Sequence, residues 1–152
     1  MNIYAKLLDQ IKTIAEQDDF ISTVTNRGSI DLDLNKGNLF PIVDVFVSGG
    51  SFPSGGVIRL SIELVCVDLR DHNNEVVTDK FRDQDNEIDN LNETLMVLNR
   101  IWKKLYKDLE GNNITASIDP TLEPIIGEGK NIYDGWLLSF DVDIPNVNLS
   151  LC

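Results

Sequence analysis

The sequence predicts an α+β fold, a mostly antiparallel β-sheet packed against a long helix with a short N-terminal helix beside it. Three observations carry this. Ile88, Leu91, Leu95, Leu98, Trp102, Leu105 and Leu109 recur at spacings of three and four, which places them on one face of a helix over 90–111. Residues 133–145 instead alternate, with Trp136, Leu138, Phe140, Val142 and Ile144 on one side and Ser139, Asp141 and Asp143 on the other, as a half-buried strand requires. The remaining apolar segments around the helix are short and β-branched, and they run in the order helix, loop, strands, helix, strands.

From the N-terminus, Ile3, Leu7, Ile11 and Ile14 share a helical face within 2–17. Phe20 to Thr25 reads as a strand or extended linker, and Asn26 to Gly28 as a turn. Ile30, Leu32 and Leu34 alternate with polar residues in a segment read as loop. A strand then begins after Pro41 and runs from Ile42 to Ser48. Gly49 to Gly56 holds four glycines and Pro53, the composition of a flexible connection. Val57 to Asp71 is the longest strand candidate. Its alternation breaks at Val65, which predicts either a bulge or a strand covered on both faces. His72 to Asn74 form a turn and Glu75 to Phe81 a returning strand.

Asn90 and Glu93 have the spacing of a helix-starting capping box, with Asp89 favourable near the dipole. Lys103, Lys104, Lys107 and Gly111 mark the helix end. Ile114 to Ile118 is a short strand. The prolines at 120 and 124 make the stretch before Tyr133 a loop. The expected organisation is a single domain over 1–152, with flexible loops near 26–40, 49–56 and 119–132. Leu95, Leu98, Trp102, Leu105, Trp136 and Phe140 are the expected core anchors.

A formal net charge of −12 opposes general binding to nucleic-acid phosphates or to anionic membranes. No apolar run approaches the roughly 18 residues of a membrane span, and no signal-peptide layout opens the sequence. Cys66 and Cys152 form no CxxC pair, so free thiols in a reducing cytosol are expected.

The search for chemistry gives little. His72, the lone histidine, has no second metal ligand at a suitable spacing. Asp83, Asp85, Glu87 and Asp89 alternate like calcium ligands, but Ile88 stands where the loop needs glycine and Thr94 where it needs glutamate. The glycines of 49–56 lead into a strand rather than the helix N-terminus a phosphate cradle uses. Asp141 and Asp143 are neighbours on one strand face, more in keeping with a polar sheet face than with a catalytic pair. No enzymatic activity, cofactor or metal site is expected.

Two stretches carry a family resemblance. "KGNLFP" over 36–41, leading into "IVDVFVS", and "DGWLLSFDVDIP" over 134–145 resemble tailed-phage neck proteins of the tail-terminator type. The order of elements agrees over nearly the whole chain. A composition rich in Asn, Asp and Ile fits a phage of an AT-rich host, such as the crAss-like phages. The resemblance implies a tail-terminator-like fold and a structural virion protein, a head-tail connector made in the host cytoplasm. It would form a homo-oligomeric ring, sixfold or twelvefold, between adjacent neck, portal-side or tail proteins, with DNA passing through the lumen without specific binding. Phe52 and Pro53 are then the expected inter-subunit contact, since aromatic residues on exposed loops anchor interfaces. The other function considered is an acidic cytosolic adaptor or regulatory module that binds a basic protein.

Overall fold

A computed structural model describes residues 3–26, 40–71, 86–117, 119–128 and 132–145. It contains helix α1 (Ile3–Glu16), strands β1 (Thr23–Asn26), β2 (Ile42–Ser54) and β3 (Val57–Leu69), helix α2 (Glu87–Gly111), and strands β4 (Thr115–Ala116), β5 (Thr121–Glu128) and β6 (Tyr133–Pro145). The fold class is α+β, with one mixed six-stranded sheet ordered β1-β2-β3-β6-β4 and β5 also paired to β6. β1 runs parallel to β2, and the other pairs are antiparallel.

Both helices cover one sheet face. Alternation in β2, β3 and β6 sends Val43, Val45, Ile62, Leu64, Cys66, Leu138, Phe140, Val142 and Ile144 toward Leu7, Ile11 and Ile14 of α1 and Val97, Leu98, Ile101, Leu105 and Leu109 of α2. Burial of each such aliphatic side chain contributes about 1.5–3 kcal/mol. Burial also pushes the thiol of Cys66 up, so it stays protonated as a small apolar filler. The opposite face holds a smaller cluster of Phe40, Ile42, Val65 and Val67, with Phe40 stacked on Tyr133. The broken alternation at Val65 therefore marks a strand covered on both faces; β3 stays in unbroken register with β6 from Val57 to Leu69.

Several expectations are corrected. Residues 49–56 are no loop: β2 continues through Ser54, and only Gly55 and Gly56 turn the chain into β3. Residues 121–128 form β5 rather than part of a loop. Pro124 is tolerated because, among the described strands, β5 pairs with β6 alone, so the missing N–H can face away from the ladder.

α2 starts one turn earlier than its expected cap. Asn86 is the N-cap residue, but its side chain makes no capping bond. Asn90 is buried inside the helix, where its amide donates to the Leu69 carbonyl at 2.9 Å and clamps α2 to the end of β3. At the other end the last turn has no basic residue, and the left-handed residue is Asn113 (φ 58°) rather than Gly111. The expected loop over 27–39, the turn and strand over 72–81, and Cys152 lie outside the described residues.

Among the expected anchors, Leu98, Leu105 and Phe140 are buried, while Trp102 and Trp136 are half-buried against the core. Leu95 is corrected to a half-buried residue at the helix flank, and Ile88 is 37% exposed. The buried stripe of α2 runs instead through Asn90, Thr94, Val97 and Ile101.

Candidate functional site

The distal half of the β2–β3 hairpin, the arm, is where β2 is an edge of the sheet while β3 stays paired to β6. Pairing within the hairpin extends from Ile42 opposite Val67 to Ser54 opposite Val57. β1 accompanies β2 only along Ile42–Val45, so β2 has no described neighbour on its outer side beyond Val45. Two register shifts interrupt the ladder, one between Val47 and Gly49 and one between Ser51 and Ser54. Such bulges bend a ribbon and spoil its edge for continued strand pairing. Phe52 and Pro53 sit within the second shift. Phe52 is 78% exposed, far more than any other large apolar side chain described.

Polar contacts brace the arm close to its tip. Arg59 on β3 grips Asp143 on β6 through Nε and Nη2, both at 2.7 Å, and Ser61 donates to Asp141 at 2.6 Å. The Arg59 hydrogen bonds hold the Asp143 carboxyl below the usual carboxylate range. The two aspartates considered as a carboxylate pair thus serve cross-strand recognition.

A second surface lies on the helical side, where β5 meets the flank of α2. Leu95, Met96, Trp102, Pro120, Leu122 and Leu138 line a hollow of about 320 Å³. Met96 and Leu122 are 46% and 45% exposed at its mouth. The Trp102 ring is held by Phe140, with centroids 4.9 Å apart, and by Tyr106 at 5.8 Å. Sequence reasoning missed this hollow because Leu122 fell in a supposed loop and Leu95 was assigned to the core. Its one signal was an unclaimed apolar residue, Met96, beside the helical stripe.

Two further arginines are engaged in structural pairs. Arg70 joins Asp134 and Glu87, and Arg100 joins Asp18. Among the described residues no group of three or more His, Cys, Asp or Glu is placed to hold a metal ion. His72, Asp83 and Asp85 lie outside the described residues, while Glu87 is committed to Arg70 and Asp89 is exposed. Among the described residues no helix is long and apolar enough to cross a membrane.

No protein-family model matches the chain, and a search of the curated proteins finds no match to it.

Proposed function

We propose that this chain is a non-catalytic structural subunit of a tailed-phage neck, of the tail-terminator type, that joins copies of itself into a ring around the path of the DNA. The observation that carries the proposal is the arm: a braced hairpin whose tip presents Phe52 at 78% exposure. Displaying a large aromatic side chain to water costs solubility, and a partner surface that covers it repays the cost. The net charge of −12 suits a lumen through which DNA slides, because an acidic wall repels phosphate instead of gripping it. A cyclic ring also needs two different surfaces on each subunit, and the arm and the α2–β5 hollow are two such surfaces.

Size-exclusion chromatography with light scattering is the direct test on purified protein, with a sixfold or twelvefold species expected. Immunogold negative-stain images of virions should place the label at the neck. A chain that is monomeric, absent from virions and retained by a cationic protein overturns the proposal in favour of an acidic adaptor.

A further inference from the structure

The β2 segment around Phe52 and the lining of the α2–β5 hollow share a property that is uncommon in this chain: neither holds a charged residue, and the nearby Arg59, opposite Ser51, is neutralised by Asp143. A quarter of all residues are charged, yet residues 45–58, which span the arm tip, include no Asp, Glu, Lys or Arg. The lining of the hollow is uncharged as well. For a protein of net charge −12, contact between copies is opposed by like-charge repulsion over most of the surface. Neutral patches are where two copies approach at least cost. One patch is a convex aromatic knob and the other is an apolar concavity, so their shapes are also complementary.

The knob cannot fill the hollow of its own chain. Leu138 in the hollow lies opposite Leu64 of β3, whereas Phe52 lies at the level of Ile58, between the Ser51–Arg59 and Ser54–Val57 pairs. Six residues of strand separate the two levels, roughly 20 Å at about 3.3 Å per residue. Both levels belong to one continuous sheet, which holds them apart.

We propose that Phe52 of one copy seats in the hollow bounded by Leu95, Met96, Trp102 and Leu122 of a second copy. This inference rests on the ring-subunit function proposed above and names the contact that builds it. The contact is heterologous, head to tail, and repeats until the ring closes.

Two variants at exposed positions test it: Phe52→Ser removes the knob, and Met96→Glu places a charge in the hollow. Both should keep the wild-type circular dichroism spectrum. Each alone should weaken self-association by roughly 30-fold or more, the scale of losing an interface hot spot. Mixed together they should form 1:1 dimers and nothing larger, since the knob of the Met96→Glu chain still fits the hollow of the Phe52→Ser chain and the other two surfaces are disabled. If Phe52→Ser abolishes assembly but Met96→Glu does not, the hollow is overturned as the docking site while ring formation stands. If both variants assemble like wild type, the knob contact is overturned. A wild-type chain that stays monomeric at millimolar concentration and is missing from virions overturns the ring function itself.

Discussion

Asp134, fully buried at the start of β6, receives Arg70 Nε at 2.9 Å on one carboxylate oxygen and Nη2 at 2.5 Å on the other. The same carboxylate accepts the Gly127 N–H of β5 at 2.8 Å, and Nη2 of Arg70 also reaches Glu87 of α2 at 2.8 Å. One guanidinium therefore fastens the end of β3 to β5, β6 and the first turn of α2. Asn86 and Asn90 add to the same junction, donating to the Leu69 carbonyl one residue before Arg70.

Removing the guanidinium strands a buried charge. Arg70→Met should cost about 3–5 kcal/mol, the scale for breaking a buried ion pair on one side. Urea unfolding followed by circular dichroism measures it, and a loss under about 1 kcal/mol would contradict the central role of the junction.

Acid should weaken the fold through two carboxylates. Burial raises the pKa of Asp134, but hydrogen bonds from Arg70 and Gly127 outweigh that and leave it below the ordinary value. Asp18 is lowered chiefly by its hydrogen bonds with Arg100. A carboxyl whose folded-state pKa lies below its unfolded value, about 3.9, contributes stability above that value and loses it as pH falls through the folded pKa. Urea midpoints should thus be insensitive to these groups from pH 5 to 7 and decline below about pH 4. Asp18→Asn should lower the midpoint at pH 7 and flatten part of the acid decline.

Asp68 should act in the opposite sense. Burial pushes its carboxyl above the ordinary value, so folding disfavours the ionised form. Asp68→Asn, which keeps an oxygen to accept the Leu69 N–H, should raise the melting temperature at pH 7 and lose that advantage at pH 3.

Of the described glycines, Gly135 has the least room for a side chain. A Cβ there would stand 1.9 Å from the Cys66 carbonyl oxygen, a clash with backbone that no rotamer relieves. Gly135→Ala should cost about 3 kcal/mol or more, or leave no soluble folded protein, as thermal unfolding will record.

The true core stripe of α2 gives a paired test. Ile101→Ala should cost about 2–5 kcal/mol and Ile88→Ala less than about 0.5 kcal/mol. The two effects come from isoleucines on one helix, so the contrast isolates which way the helix faces.

That stripe shows where sequence reasoning stopped. Leu98, Leu105 and Leu109 lie on both the expected and the observed face, which is why the helix itself was legible. The first turns were misread because polar residues face inward there: Thr94 satisfies its hydroxyl on the Asn90 carbonyl of its own helix, and the docking contacts are the Asn90 amide on the Leu69 carbonyl and Trp136 Nε1 on the Leu91 carbonyl at 2.8 Å, none of which carries apolar periodicity. β6 was legible to the residue because alternation over 13 positions has no helical counterpart. β5 and the arm were missed for a shared reason. Proline and glycine are disfavoured in the interior of a sheet, and both segments occupy edges or bulges where that preference weakens. Phe52 stood out in the sequence as an apolar residue among glycines, but the uncharged hollow on α2 and β5 became visible only when the register brought Leu122 beside Leu138.

The sheet order also sets a timetable for synthesis. β6 supplies ladder partners to β3, β4 and β5, yet it follows every other described element in the sequence. A nascent chain that has emerged only as far as α2 holds β3 with one edge open, along with an apolar face that α2 alone cannot cover. Chains in that condition are prone to join one another before they join themselves. For this protein the hazard persists until residues 133–145 leave the ribosome, so slow translation of the segment after α2 is expected to cost more yield than slow translation before it.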